Sequence, residues 1–197
     1  MITSKIEFNA YCEADRLANC KPADKDLLAK IKHLLFPDLT WIFLLRLRKV
    51  EYLKNCKKGF ISKMLFVYHY YKFKKLSVKL GFTIPLNVFG PGLSIPHYGT
   101  IVVNSAAKVG KNCRLHVSVN IGASTGSIVA PIIGDNVYIG PGAIVFGNIK
   151  INDNVSIAAN ATVNKSINVK NVTVGGTPAK IIKEDTAVWW ENNKLSL

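Results

Sequence analysis

The chain has 197 residues, 49% of them hydrophobic and 19% charged, enough apolar material for a sizeable core in one or two domains, which excludes an intrinsically disordered chain. Its net charge is +14, from 26 Lys and Arg against 12 Asp and Glu. No zinc-finger, RNA-recognition-motif or helix-turn-helix signature accompanies that charge, and arginine is scarce beside lysine, so no nucleic-acid partner is expected.

Residues 1–80 read as an α-helical N-terminal region. Ser4-Lys5-Ile6-Glu7 has the form of a capping box, which would satisfy free backbone donors at a helix start. Leu27, Leu28, Ile31, Leu34 and Leu35 recur at helical spacing and give one apolar face, which Pro37 ends. A second helix is expected over 40–53, with Trp41, Leu44 and Leu45 among its apolar residues. Gly59 separates it from a third over 60–80, which carries Met64, Phe66, Tyr68, Tyr70, Tyr71, Phe73 and Leu76. Residues 1–80 hold 17 basic and 7 acidic residues, a balance of +10 that leaves +4 for the rest of the chain. Lys57, Lys58, Lys63, Lys72, Lys74, Lys75 and Lys79 lie in or beside the third helix. This pattern has two readings: a helix packed on its neighbours with a solvated lysine face, or a basic amphipathic surface making peripheral contact with anionic lipid.

No apolar run reaches the roughly 18 residues needed to span a bilayer. The longest, over 39–47, is interrupted by Arg46 and followed by Arg48. The N-terminal MITSKIEF has no signal-peptide pattern, and Cys12, Cys20, Cys56 and Cys113 form no CxxC pair. A cytoplasmic location is expected, extending to the inner face of the membrane if the basic helices engage lipid.

Residues 81–99 are rich in turn formers, with Pro85, Pro91 and Pro96 beside Gly90, Gly92 and Gly99, and they hold His97 next to Tyr98. From 101 to 182 an aliphatic residue recurs at every sixth position: Val103, Val109, Leu115, Ile121, Ile133, Ile139, Val145, Ile151, Ile157, Val163 and Val169, broken at Ser127. A second, smaller phase sits two residues before each, including Ala107, Cys113, Val119, Val137, Ala143 and Ala161. A helix needs a period of 3.6 and a flat strand a period of 2. A period of six fits short strands joined by tight corners, one aliphatic side chain inward per strand. Gly or Asn often follows the aliphatic residue, as at Gly110, Gly122 and Gly140, and is expected to take the turn conformation. Residues 122–130 (GASTGSIVA), where the period fails, read as an extruded loop. His116 occupies a corner position 19 residues after His97 and is expected to project from the coil. Residues 183–197 leave the repeat, and Trp189 and Trp190 are expected to cap the last coil or pack on a neighbouring chain.

The run IGDNVYIGPGAIVFGNIKINDNVSIAANATV, closed by VGGTPAKII and preceded by GPGLSIPHYGTIVVN, resembles the hexapeptide-repeat acyltransferases, in particular the serine O-acetyltransferases and the capsular and exopolysaccharide O-acetyltransferases. The resemblance covers roughly 80–182. It implies a mainly β fold: a left-handed parallel β-helix over 81–182, preceded by the α-helical region 1–80 and followed by a tail over 183–197. It implies acetyl transfer from acetyl-CoA to a hydroxyl, in a homotrimer with the active site between neighbouring solenoids. His97 matches the family's catalytic histidine, and His116 is the second candidate. Pro141, Gly142, Ala159 and Asn160 match the pantetheine groove, and Lys180 is placed to meet the coenzyme's phosphates. No metal is expected, because chemistry on this fold that needs three metal histidines finds only His97 and His116 in the solenoid.

The sequence also departs from the serine branch. Pro96 stands where that branch has an Asp before the catalytic histidine. Phe82 and Thr83 lie where another Asp orients it, and Ala130 precedes Pro131 where a second histidine is carried. The partners for an amino acid's ammonium group are therefore missing, and a sugar or polysaccharide hydroxyl is the expected acceptor. The alternatives are serine or another small-molecule acceptor, and a non-enzymatic basic scaffold at a membrane surface.

Overall fold

A computed structural model describes residues 1–21, 35–185 and 188–190. Among the described residues three helices precede a solenoid: α1 (Lys5–Ala18), α2 (Leu39–Cys56) and α3 (Phe60–Leu80). The apolar segment expected around Leu27–Leu34 lies outside the described residues. The second helix runs three residues further than its apolar pattern suggested, to Cys56, and starts one residue earlier, at Leu39. At the first helix Ser4 Oγ accepts from Glu7 N–H at 3.1 Å, one half of a capping box. The Glu7 carboxylate turns instead to Thr3, accepting from its N–H at 2.6 Å and its hydroxyl at 2.7 Å.

The solenoid is a left-handed parallel β-helix whose short strands stack into three faces. Face A is β1 (Phe82–Thr83), β2 (Ile101–Val103), β5 (Val119–Gly122), β8 (Ile144–Phe146) and β11 (Thr162–Val163). Face B is β3 (Lys108–Val109), β6 (Ile132–Ile133) and β9 (Lys150–Ile151). Face C is β4 (Arg114–Leu115), β7 (Tyr138–Ile139), β10 (Ser156–Ile157), β12 (Thr173–Gly175) and β13 (Lys180–Lys183). All pairs are parallel except β12 with β13, which turns back antiparallel and covers the open edge of the last coil.

The six-residue period is the core. Leu115, Ile121, Ile139, Val145, Ile151 and Ile157 are fully buried, and the smaller phase fills the gaps between them with Cys113, Val119, Val137, Ala143, Val155 and Ala161. Val169 is an exception at 52% exposed. On face B the last coil is two residues short, Ile151 bridging to Ile167, 16 positions on, so Ile167 takes the inward place expected of Val169; on face C it is one short, Ile157 pairing with Val174, 17 positions on. The loop reading at 122–130 corresponds to one surplus hexapeptide: Val103 pairs with Ile121, 18 positions on, but Val109 pairs with Ile133, 24 positions on. It leaves from the edge between faces A and B.

Gly110, Gly134 and Gly140, each following an aliphatic position, are there for a different reason from the one expected, whereas Gly122 has no neighbouring backbone so close. A Cβ on Gly140 would lie 2.9 Å from Ala159 N and from Ile157 O of the next coil, so the side chain is excluded by the approach of stacked backbones. The left-handed turn residues come two places later, as Asn112, Asn136, Asn154 and Asn160 with φ between 52° and 59°. On the edge between faces B and C, Asn112, Asn136 and Asn154 form a ladder with Asn171: Asn112 Nδ2 to Asn136 Oδ1 at 2.9 Å, Asn136 to Asn154 at 2.9 Å and Asn154 to Asn171 at 2.8 Å.

The helices share one core with the first coil. Phe43 of α2 stacks on Phe73 of α3 at 5.2 Å and meets Phe82 edge-on at 5.0 Å. Beside these rings Arg48 is fully buried. It donates to Asp15 at 2.8 Å, to Glu51 at 3.0 Å, and to the carbonyls of Phe89 and Gly90 at 3.0 and 2.7 Å. Asp15 in turn accepts from the N–H groups of Gly92 and Leu93 at 2.8 and 2.9 Å. Burial opposes the charge on Arg48, but Asp15 and Glu51 more than offset it, and its pKa is raised. One guanidinium thus ties α1 and α2 to the start of the solenoid.

Candidate active site

The edge between faces C and A gathers the candidate residues in one column. Its corners carry His97 on the first coil, His116 on the second, Gly140-Pro141-Gly142 on the third, Ala158-Ala159-Asn160 on the fourth and Gly175-Gly176 on the fifth. Backbone bonds between coils hold the column: His116 N–H to Ile139 O at 3.1 Å, Gly142 N–H to Val117 O at 2.9 Å, Asn160 N–H to Pro141 O at 2.9 Å and Ala158 N–H to Val174 O at 2.9 Å. Lys180 starts β13 opposite Gly175, exposed at the far end of the column. Four steps of about 4.8 Å separate the first coil from the last, roughly 19 Å in all.

The third and fourth corners are narrow by necessity. Gly142 has φ 72°, and a Cβ there would lie 2.1 Å from Asn160 Oδ1. Small residues with little side chain outside the backbone leave a track along which an extended thioester arm can lie against peptide groups.

At the foot of this track the rings of His97 and His116 are 6.0 Å apart, centre to centre. His97 is exposed, in the turn after Pro96; His116 is half-buried and its ring also meets Tyr138 at 5.1 Å. Burial lowers the His116 pKa, helped by the cationic charge of Arg114 and by His97. Its imidazole is therefore biased toward the neutral form, able to accept or donate one hydrogen bond. Among the described residues no carboxylate pairs with either imidazole. Pro96 is half-buried, and Ala130 is 2% exposed on face B's corner, away from His97. Phe82 is packed against Phe43 and takes no part in the site.

Two neighbours were missed by pattern reading. Tyr138 stands opposite Arg114 on the outside of face C, beside His116. The guanidinium of Arg114 lies 5.5 Å from the Trp189 ring, whose Nε1–H donates to Asn112 O at 3.0 Å. Trp189 thus reaches back to the second coil rather than capping the last; β13 takes the capping place. A cavity of about 240 Å³ lies behind Pro96 and Arg114, bounded by Asn19, Lys21 and Thr40.

Residues 130–165 match the family described as bacterial transferase hexapeptide (six repeats). Over 99 residues the chain is 41% identical to a serine acetyltransferase of Staphylococcus aureus, covering 49% of this chain and 46% of that protein, and 40% identical to the one of Staphylococcus xylosus. The chain spans about half the length of these relatives. Among solved structures it is similar to the serine acetyltransferase of Brucella abortus, with TM-score 0.70 and 26% identity over 93% of this chain and 72% of that one. It is similar also to that of Neisseria gonorrhoeae in complex with serine, with TM-score 0.66, 26% identity and coverage of 91% and 71%. Fold, repeat and relatives agree: the protein is a hexapeptide-repeat left-handed β-helix that resembles the acyltransferases of that kind, and among them the serine acetyltransferases.

Proposed function

We propose that this protein is an O-acetyltransferase that moves the acetyl group of acetyl-CoA to a hydroxyl, with His97 as general base. The observation that carries the reading is the column on one edge: two imidazoles 6.0 Å apart at the foot of a track of small, tightly stacked corners. Acetyl-CoA would lie along Pro141, Gly142, Ala159 and Asn160, with Lys180 toward its phosphates. His97 takes the proton of the acceptor hydroxyl as its oxygen attacks the thioester carbonyl. The resulting oxyanion needs donors, which backbone N–H groups of the corner supply best. Collapse breaks the carbon–sulfur bond, and the leaving thiolate takes the proton back from the imidazolium. His116, biased neutral, adds a hydrogen bond to the acceptor.

The surplus hexapeptide leaves from the edge between faces A and B, whereas the histidines lie between C and A. On this reading the loop reaches the histidine edge of a neighbouring copy rather than its own, in a homotrimer with its sites between solenoids. Sedimentation showing a fully active monomer would refute that arrangement.

The relatives support serine as the acceptor better than they support a sugar. A second reading, a neutral sugar or polysaccharide hydroxyl, is favoured by one observation: the charged neighbours acting on His116 are Arg114 and His97, which offer nothing to an ammonium group. Acetyl-CoA turnover with L-serine, set beside turnover with a neutral sugar, separates the two. The surroundings of the pair predict a kcat/KM ratio favouring the sugar; a ratio at least about tenfold toward L-serine sustains the relatives' reading instead.

His97→Ala tests the base. It should lower turnover about 10²–10⁴-fold with acetyl-CoA affinity and melting temperature nearly unchanged, while His116→Ala stays within a few-fold. A larger loss in His116→Ala reassigns the base. No loss in either folded variant overturns transferase chemistry on this edge and leaves the scaffold reading.

A further inference from the structure

The N-terminal half of α3 touches the core through Phe66 on its inner side and leaves its outer side uncovered. None of residues 60–71 is buried, although the helix packs through Phe73, Leu76 and Leu80 further on. Phe60 is 77% exposed, Ile61 74%, Met64 60%, Val67 64% and Tyr71 64%. Single exposed apolar residues are ordinary; a contiguous set on one helix marks an interaction surface. The same helix carries Lys63, Lys72, Lys74, Lys75 and Lys79 and no acidic residue. Beside it lie two shallow grooves of about 380 and 430 Å³. One is floored by Leu39, Ile42, Tyr71 and Leu76 and rimmed by Lys75 and Lys79. The other is floored by Phe8, Ile42 and Leu45 and rimmed by Lys49. Arg46 and Lys72 border both.

We infer that the outer face of α3, with the neighbouring rim of α2, is a docking surface for an anionic lipid bilayer. Charge decides between occupants. Two copies of α3 face to face would bring lysine rows together with no acidic partner on the helix. An anionic headgroup layer supplies the counter-charges, and the acyl boundary takes the aromatic and aliphatic side chains. Among the described residues no helix is long and apolar enough to cross a membrane, so the contact is peripheral and reversible. This surface lies on the first coil's side of the molecule, apart from the histidine column, and does not depend on the acetyl-transfer reading.

The test is flotation of the full chain with vesicles of phosphatidylcholine alone and of phosphatidylcholine with phosphatidylglycerol, at low and high salt. Binding is expected only to the anionic vesicles and is expected to weaken with salt. The triple variant Lys72→Glu, Lys75→Glu, Lys79→Glu should lose about tenfold or more of the partition. Phe60→Ser with Ile61→Ser and Met64→Ser should lose binding while melting like the parent, since these side chains contact solvent. No association at low salt overturns the proposal, as does equal binding to neutral vesicles. So does an assembly that this apolar triple variant dissociates without any vesicle binding, because the face would then belong to a second copy.

Discussion

The solenoid and the helical region hold themselves together in opposite ways. In the solenoid each inward position meets the same surroundings as the one eighteen residues away, and the stabilisation is divided among many near-equivalent aliphatic side chains. The helices have no such repetition. Their attachment gathers unlike contacts at one junction: an aromatic trio, a buried guanidinium that serves two carboxylates and two carbonyls, and the side chains of Asp15, Asn19, Glu51 and Asn55 bonded to the first coil. A repeated core spreads the consequence of any one change, whereas a unique junction concentrates it.

The sharpest test of that contrast is Arg48→Met. It leaves Asp15 and Glu51 charged and buried without their cation and removes the donor to Phe89 and Gly90, so a loss of about 3–5 kcal/mol is expected. Urea unfolding followed by helical circular dichroism measures it; a loss below about 1 kcal/mol would show that the junction is not concentrated there. A core position in the middle of the repeat should cost less on average. Ile139→Ala leaves a cavity between two coils that cannot close fully, and about 2–5 kcal/mol is expected, with similar values at Ile121 and Ile157. Wide scatter among these three would break the picture of equivalent positions.

The smallest effect is at the start of α2. Asp38 caps that helix, accepting from Trp41 N–H at 3.0 Å and from Thr40, and pairs with Lys21. Burial pushes its pKa up, but the Lys21 contact and the cap bonds outweigh that and bring it from 3.8 to about 2. The folded value lies below the unfolded one. Its stabilisation is therefore present above about pH 4 and disappears as pH falls through about 2. Asp38→Ala should cost about 1 kcal/mol at neutral pH and flatten the acid limb of the stability curve between those values. An unchanged limb would mean that the carboxylate is not held by its partners.

This contrast also governs what the sequence discloses. Inward positions are legible because hexapeptide spacing repeats the same physical demand, and the extruded loop is legible as the place where that spacing fails. At Gly110, Gly134 and Gly140 the spacing suggests a turn conformation, whereas crowding between coils is what excludes a side chain; spacing alone cannot tell the two apart. His97 and His116 are close because their separation nearly equals one coil. Tyr138 escaped notice because the surplus hexapeptide intervenes, so that its partner Arg114 lies 24 rather than 18 positions away. Arg48 and Asp15 escaped because a charged residue on a helix reads as surface, and only tertiary packing shows that both are enclosed.

The surplus hexapeptide has a consequence for chain length. Strand pairing on either side of it, Val103 with Ile121 and Val109 with Ile133, is fixed by coils that meet in space, not by the number of residues between them. The segment 123–129 can therefore be lengthened without shifting any inward side chain to the outside. Each doubling of such a loop costs only about 0.6 kcal/mol of closure entropy. By contrast, one residue added within a strand would turn its whole coil inside out. The molecule accordingly offers one address where a foreign peptide, a protease site or a fluorescent reporter can be spliced in while the rest of the prism keeps its register.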